Sequence, residues 1–259
     1  MSMKSIIYGP VPSWRLGRSL GIDLLSTRGK TCSFDCIYCQ LGRTIHSLVK
    51  RKEFVPISKL ALELEQVRDV PADYATFSGV GEPTLANNLG QAIKTVKQTL
   101  ALPVAVLTNS SLMPREDVRH ELAGADVVVA KLDAPNEELF HVINRPAISY
   151  SLDEILQGII RFKREYSGKL ALQIMFIEAN KDYAQDMARL AEWLSPDEVQ
   201  LNTPLRPSTV QPLTPEDISA IRRVFFRCRN VLTVYEVKRP EVSPINLKET
   251  VRRRPKEKR

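Results

Sequence analysis

The sequence lacks any run of 18 apolar residues, the length that a helix needs to cross a membrane. Residues 1–14 contain a single lysine and the pair Ile6–Ile7 before a Gly-Pro turn, which is too little apolar sequence for the core of a signal peptide. We therefore expect a cytoplasmic protein that has no membrane partner.

Cysteine is also scarce, because the 259 residues include only four, and three of these fall within eight positions. Thiols stay reduced in the cytosol, where clustered cysteines are more typical of metal sites than of disulfides. A chain of this length buries enough surface to fold without such support. The cysteines are therefore expected to serve chemistry and not stability.

The interior contains no linker-like stretch, and β-branched runs alternate with amphipathic helical stretches. Strands are predicted at 19–25, 72–79, 103–108, 125–133, 169–177 and 198–202, with 230–237 as a candidate last strand. Helices are predicted at 56–70, 87–100, 114–122, 151–166, 182–194 and 214–226, with Ser58 and Thr214 as caps. Six βα units indicate an α/β fold with a parallel sheet, either doubly wound or a partial barrel. Both place ligands at the carboxyl ends of the strands.

The positive charge is concentrated at one end of the chain. The formal net charge is +7, and residues 252–259 contain six basic residues and one acidic residue. Such a terminal run is typical of a solvated, mobile tail, and it can also contact phosphate backbones. We predict a single domain over residues 1–251, followed by this basic tail.

Cys32, Cys36 and Cys39 lie in the loop after the first predicted strand. Clustered thiolates select zinc or the iron of a sulfide cluster. A structural zinc site needs four protein ligands, and a fourth from His46 or Cys228 would not have the usual zinc-finger spacing. A 4Fe–4S cluster on three cysteines would leave one iron open to another ligand, as in a catalytic centre.

The motif Cys-x3-Cys-x2-Cys, with Tyr38 before the third cysteine, resembles that of the radical S-adenosylmethionine (radical SAM) enzymes. The resemblance implies a partial (β/α)6 barrel with its motif-bearing core over about residues 19–205. It also implies that the open iron binds the amino and carboxylate groups of S-adenosylmethionine. Reductive cleavage would then give methionine and a 5′-deoxyadenosyl radical that abstracts hydrogen from a substrate, in an enzyme of oxidoreductase or transferase type.

The resemblance extends to residues that would bind S-adenosylmethionine. In "FSGVGEPTL" (77–85), Gly79 and Gly81 permit backbone turns and Glu82 offers a carboxylate to the ligand's ammonium group. Further cofactor-binding residues are implied at Tyr38 and at the ends of later strands: Thr108, Asn109, Asp133, Asn202 and Thr203. Gln173 points into the barrel if strand alternation holds, where it either binds the ligand or bonds to polar neighbours.

Lys131 is the candidate catalytic residue. At a strand end facing a dry cavity, a lysine can form a Schiff base or hold a carboxylate. The alternative is an ion pair with Asp133 or Glu82. Arg15, Arg18 and Arg206 have a similar ambiguity between binding a substrate phosphate or carboxylate and a structural role.

Three stretches, 12–24, 32–44 and 132–146, resemble the branch that contains the tRNA wyosine-synthesising enzymes. Those enzymes carry a second cluster on another cysteine triad. Only Cys228 remains here, and we interpret it as a buried structural thiol. A second cluster is therefore impossible, and we interpret the chain as a relative of that branch and not as a wyosine-synthesising enzyme. The kinship and the basic tail make a tRNA base the first hypothesis for the substrate.

Two other functions fit the same motif. One is an activase that generates a glycyl radical on a partner protein, and the other is a non-catalytic zinc or iron–sulfur binding module. Any cluster enzyme would also need flavodoxin or ferredoxin as a reductant, and such acidic partners are attracted to a basic surface.

Overall fold

The computed structural model describes residues 5–256, in which strands and helices alternate along most of the chain. The strands are β1 (Ile7–Ser13), β2 (Gly17–Ile22), β3 (Thr31–Cys32), β4 (His46–Ser47), β5 (Tyr74–Phe77), β6 (Val104–Thr108), β7 (Val127–Lys131), β8 (Lys169–Met175), β9 (Glu198–Asn202) and β10 (Val231–Thr233). The helices are α1 (Ile57–Glu65), α2 (Leu89–Thr99), α3 (Glu116–Leu122), α4 (Glu137–Asn144), α5 (Leu152–Glu165), α6 (Ala184–Leu194), α7 (Pro215–Val224) and α8 (Leu247–Arg253). None of these helices is both long enough and apolar enough to cross a membrane.

Eight strands form one sheet in the order β1-β2-β5-β6-β7-β8-β9-β10, and β3 pairs separately with β4. From β2 to β10 all neighbouring strands are parallel, whereas β1 is antiparallel to β2. The parallel strands follow chain order without the reversal that defines a doubly wound sheet. β1 and β10 remain as edges, so the barrel is incomplete. The predicted partial barrel of six βα units is confirmed, with β10 as an additional parallel strand.

The sequence does not predict β1. Pro10 and Pro12 lie within it, and proline is excluded from central strands because it cannot donate to the hydrogen-bond ladder. β1 tolerates them because it lies at the edge of the sheet, and its register shifts between Tyr8 and Val11. It protects the edge of β2, the strand that leads to the cysteines.

Strand alternation divides the side chains of the sheet between two layers. On β7, Val128 and Ala130 pack under the helices in the main core. The opposite face contributes to an inner cluster of Leu16, Ala105, Val127, Val129 and Ala171. These inner residues lie near the amino ends of the strands, so they form an apolar floor that leaves the carboxyl ends open.

Of the two helix caps predicted from sequence, the structure confirms one. Thr214 caps α7 in a capping box with Asp217, as the sequence predicts. Ser58 does not cap α1, because the helix already begins at Ile57 after Pro56. The proline terminates the preceding extended segment at the same point, so Ser58 falls inside the first turn.

The carboxyl-terminal residues differ from the predicted tail over 252–259. Arg252 and Arg253 form the last turn of α8, and the Arg253 side chain is fully buried. Its Nε donates to Asp23 Oδ2 at 2.7 Å, just beyond the end of β2. The prediction of a solvated tail is therefore wrong for these two residues, because Arg253 is held by this ion pair and Arg252 pairs with Glu249 of the same helix at 3.1 Å. Residues 257–259 lie outside the described part of the chain.

We predict that Arg253→Ala strongly destabilises the protein. The substitution leaves the Asp23 carboxylate buried without its cation, a change that typically costs about 3–5 kcal/mol. Chemical denaturation should show this loss in the free energy of unfolding. Lys248→Ala, at an exposed position of the same helix, should change it by less than about 0.5 kcal/mol. Equal effects of the two substitutions would contradict the assignment.

Candidate active site

The carboxyl ends of the parallel strands open into a cavity of about 290 Å³. Its wall includes thirteen of the fourteen site residues predicted from sequence: Cys32, Cys36, Tyr38, Cys39, Gly79, Gly81, Glu82, Thr108, Asn109, Lys131, Gln173, Asn202 and Thr203. Asp133 is the exception, because it lies behind Tyr38 and hydrogen-bonds to its hydroxyl. The fold thus brings together residues from five strand ends and from the cysteine loop (residues 32–39). Their roles toward a cofactor remain predictions.

The cysteine loop brings three free thiols to the cavity wall. Amide groups touch two of the sulfurs: Asn109 Nδ2 lies 3.5 Å from Cys32 Sγ, and Asn144 Nδ2 lies 3.4 Å from Cys36 Sγ. In the described part of the chain, no three metal-binding side chains converge as they would around one ion.

The electrostatics of the loop favour added positive charge from iron. Burial, with a contribution from the Glu82 carboxylate, raises the pKa of the Cys32 thiol to about 12, and burial also raises the pKa of Cys36. Lys30 is only 5% exposed. Burial alone would lower the pKa of its ammonium group, but the negative charges of the three thiolates and Asp35 reverse that effect and raise it. The three cysteines therefore suit an iron–sulfur cluster, whose iron ions would hold the thiols as thiolates.

The glycines of the 77–85 segment are needed for close approach rather than for a special backbone angle, since neither Gly79 nor Gly81 has a positive φ. A Cβ on Gly81 would lie 1.6 Å from the Thr31 carbonyl oxygen. That oxygen also accepts the Glu82 N–H at 3.2 Å. A Cβ on Gly79 would lie 2.3 Å from Asp23 Cγ. The expected backbone turns are thus corrected to steric contacts, which dock Gly81 against Thr31 at the start of the cysteine loop and Gly79 against Asp23 after β2.

Glu82 is almost fully buried and links the ends of β5 and β6. Its carboxylate accepts hydrogen bonds from the Thr84 N–H (3.1 Å), the Thr84 hydroxyl (2.7 Å), the Thr108 hydroxyl (2.7 Å) and the Asn109 N–H (2.6 Å). Burial raises the pKa of Glu82, and these donors offset part of that rise. Glu82 and Thr108 thus hold the ends of the two strands together. The predicted contact with the ammonium group of the ligand would be a fifth hydrogen bond to the Glu82 carboxylate.

Tyr38, Asp133 and Lys131 form one buried network. The Tyr38 hydroxyl donates to Asp133, which also accepts from Asn144 Nδ2 at 2.8 Å and from the Met175 N–H at 2.9 Å. Burial and the Asp133 charge raise the pKa of Tyr38. Lys131 Nζ lies 3.6 Å from Asp133 and 4.6 Å from the centre of the Tyr38 ring. The ion-pair interpretation of Lys131 is confirmed, with Asp133 as the partner; a catalytic role remains a prediction.

The last strands contribute polar groups from β8 and β9. Gln173 faces the cavity, so the alternation expected for β8 is confirmed. Asn202 Oδ1 accepts the Thr203 N–H at 2.9 Å, and the Thr203 hydroxyl accepts the Leu213 N–H at 2.8 Å. Thr203 thus positions the segment that leads to α7.

Four arginines, Arg15, Arg206, Arg239 and Arg254, also line the cavity. The sequence singles out the first two but not Arg239, and it places Arg254 in the tail. In the sequence, Arg239 and Arg254 share one feature, a proline directly after the arginine ("KRP" and "RRP"). This feature does not indicate that either side chain lines a cavity. Arg18 is separate, since it pairs with Asp73 at 2.7 Å and is not part of the cavity wall.

Comparison with known proteins identifies the family. The model of the "Radical SAM superfamily" matches residues 27–191, more than half of the chain. The chain belongs to the radical SAM superfamily. The matched segment runs from just before the cysteine loop into α6, and it therefore covers most of the residues that form the cavity.

Relatives with similar sequences span most of this radical SAM protein. It is 38% identical to "UPF0026 protein MJ1312" of Methanocaldococcus jannaschii over 85% of this chain and 70% of the relative. It is 41% identical to "UPF0026 protein slr1464" of Synechocystis over 79% of this chain and 77% of the relative. A more remote relative is the "Probable GTP 3',8-cyclase" of Sulfurisphaera tokodaii, 28% identical over 66% of this chain and 51% of the relative.

Solved structures share the fold at low sequence identity. A radical SAM methyltransferase from Sphaerobacter thermophilus superposes with a TM-score of 0.61 at 16% identity, covering 83% of this chain and 65% of that one. Streptococcus suis SuiB bound to S-adenosylmethionine gives 0.62 at 14% identity, covering 79% and 48%. This chain therefore spans about half to two thirds of the solved chains. The resemblance to the wyosine-synthesising branch is not confirmed, because these relatives carry other names.

We predict that Gly81→Ala disrupts the cysteine loop. The added methyl group would overlap the Thr31 carbonyl, so the loop must move away from the end of β5. Overpacking of this kind costs about 1–3 kcal/mol or more. After anaerobic reconstitution, the variant should bind less than half of the wild-type iron and sulfide.

Gly124→Ala is the matched control, since its added methyl group makes only ordinary contacts at 3.4 Å and 3.5 Å. This variant should retain its iron and sulfide. Wild-type cluster content in Gly81→Ala would show that the close approach of the two segments is not required.

Proposed function

We propose that this protein reductively cleaves S-adenosylmethionine at a 4Fe–4S cluster held by Cys32, Cys36 and Cys39. The observation that carries the proposal is the presence of three free thiols in the wall of one cavity, beside buried Lys30. The superfamily match over 27–191 supports the same chemistry. The number of cysteines supports one cluster with one open iron.

The residues around the thiols suit them to hold an anionic cluster. Lys30 places a buried positive charge near the sulfurs. The side-chain amides of Asn109 and Asn144 donate to Cys32 and Cys36, and hydrogen bonds to sulfur raise the reduction potential of such clusters. When bound, the cluster would supply the electron that breaks a C–S bond of S-adenosylmethionine, giving methionine and a 5′-deoxyadenosyl radical.

The rest of the cavity binds the cofactor and excludes water. Gln173 and Asn202 present amide groups from β8 and β9, suited to orient the polar groups of S-adenosylmethionine. The inner apolar cluster closes the floor of the barrel, so a reactive species formed above it is shielded from solvent. The Tyr38–Asp133 hydrogen bond fixes the backbone of the cysteine loop against β7.

The substrate and the reductant are further proposals. Flavodoxin or ferredoxin is the proposed reductant, because a chain with a net charge of +7 attracts acidic partners. A tRNA base remains the prediction for the substrate, but its support is weaker since Arg253 of the basic run is buried. Within residues 5–256, no contact specifically favours the glycyl-radical activase or the zinc module.

We predict that the anaerobically reconstituted protein releases 5′-deoxyadenosine from S-adenosylmethionine on addition of dithionite. Cys36→Ala removes one cluster ligand and should reduce the release to background. Liquid chromatography of the quenched reaction measures the product, with iron and sulfide determined on the same sample.

Cys228→Ala is the matched control, because this half-buried thiol is not part of the cavity wall, packs against the core and contacts the Ala188 carbonyl. It should retain both the cluster and the activity. A wild-type preparation with a full complement of iron and sulfide that releases no 5′-deoxyadenosine would overturn the proposed function.

A further inference from the structure

The electron for the proposed reaction has to enter the protein from a separate donor. Cys228 is the one cysteine outside the cysteine loop, so the thiols of this sequence cannot hold a second iron–sulfur cluster as a relay. The cavity on the inner side of the thiols has a volume of about 290 Å³, which suits a small molecule and excludes a folded protein. A protein donor therefore has to approach the cysteine loop from its outer side.

The outer segment (residues 42–50) lies between the cysteine loop and solvent. The Gly42 N–H donates to the Cys39 carbonyl at 3.0 Å, and the Leu48 N–H donates to the Cys32 carbonyl at 3.2 Å. Most residues of this segment are exposed. A protein that contacts the outer segment would thus be separated from two of the three thiol-bearing residues by one stretch of backbone.

Two aliphatic side chains of the outer segment project into solvent. Ile45 is 69% exposed and Val49 is 46% exposed. Strand alternation directs both to the same face, whereas Leu48 packs against the core. Apolar side chains that are grouped at the surface and surrounded by charged residues are typical of protein contacts.

Basic residues flank this apolar pair. Residues 28–50 contain four lysine or arginine residues and one acidic residue, Asp35. Arg43 pairs with Asp35 at 3.0 Å, yet the Arg43 side chain remains 83% exposed. Lys50, which follows Val49, is exposed and makes no ion pair within the described part of the chain.

Arg28 adds a further exposed cation beside Ile45. Its neighbour Gly29 lies against Ile45, since a Cβ on Gly29 would be 2.5 Å from Ile45 Cδ1. Like Lys50, Arg28 makes no ion pair with any described residue. The exposed charge of this surface is therefore positive, which attracts an acidic protein and orients it before contact.

Positive charge also attracts RNA, but the other features of this surface do not suit RNA. The bases of single-stranded RNA stack on exposed aromatic side chains. Residues 28–50 contain no tryptophan, and their one phenylalanine and one tyrosine, Phe34 and Tyr38, are both buried. The exposed centre is aliphatic, and it therefore favours a protein as the partner.

We propose that the outer side of the cysteine loop docks an acidic electron-carrier protein that contains a flavin or an iron–sulfur cluster. The docking surface comprises Arg28, Arg43, Ile45, Val49 and Lys50. This inference rests on the proposed function, because it assigns the surface at which the reductant of that reaction binds. One electron leaves the cofactor of the carrier and enters the cluster at the cysteine loop, and no atom is transferred. The contact is small and short-lived, as is typical of electron-transfer complexes.

Isothermal titration calorimetry of the anaerobically reconstituted protein with a flavodoxin at low salt tests the proposal. The double variant Arg28→Glu/Lys50→Glu reverses two unpaired charges and should weaken flavodoxin binding at least about tenfold. Added salt should also weaken binding by the wild type, because it screens the attraction between the two proteins. With dithionite as the reductant, the variant should release 5′-deoxyadenosine at the wild-type rate, since a small ion does not need the docking surface.

Lys94→Glu/Arg161→Glu is the matched control, because both positions are exposed on the helices α2 and α5 and the net charge changes equally. It should bind flavodoxin like the wild type. Equal weakening by the two double variants, or a wild type that binds neither a flavodoxin nor a ferredoxin, would overturn the proposal. If Arg28→Glu/Lys50→Glu loses affinity for a tRNA transcript but not for flavodoxin, the surface belongs to RNA and the proposal is also overturned.

The two readouts separate this proposal from the reaction. Dithionite-driven release of 5′-deoxyadenosine, together with unchanged flavodoxin binding by Arg28→Glu/Lys50→Glu, would overturn the docking surface alone. Flavodoxin binding that depends on Arg28 and Lys50, in a protein that releases no 5′-deoxyadenosine with either reductant, would overturn the proposed reaction alone.

Discussion

The contact between Gly81 and the Thr31 carbonyl holds the site together. The Thr31 oxygen occupies the space that a side chain at residue 81 would need, and it accepts the N–H of the next residue, Glu82. Through this contact the cysteine loop, of which only Cys32 belongs to a named strand (β3), gains a fixed position against the central sheet. The ligands of the proposed cluster thus depend on a main-chain contact that tolerates no side chain.

Two buried carboxylates extend that contact into the barrel. Glu82 joins the end of β5 to the end of β6 through the Thr108 hydroxyl and the Asn109 N–H. Asp23 packs against Gly79 on one side and pairs with Arg253 on the other, so α8 supports the glycine segment from outside. Each carboxylate is satisfied by protein donors, as buried charges require. The end of the barrel that carries the cysteines is therefore built from polar contacts, whereas its floor is apolar.

The sequence predicts the parts of the molecule whose signal is local. The radical SAM resemblance of the cysteine motif, the six parallel strands and the Thr214 cap are confirmed, because motif, periodicity and capping residues are local features of the sequence. β1 escapes prediction because its prolines are tolerated only at an edge, which depends on the sheet order. The burial of Arg253 is not predicted either, because the sequence of a basic run does not distinguish an arginine in solvent from one that pairs with a buried Asp23. Composition reports charge, but it does not report which charges the fold encloses.

Charged groups of opposite sign occupy different parts of the cavity wall. Thiols and one buried carboxylate lie at the cysteine loop, and four guanidinium groups lie elsewhere in the same wall. Since Arg15 carries unmade hydrogen bonds at a cost to stability, the fold alone does not explain its position.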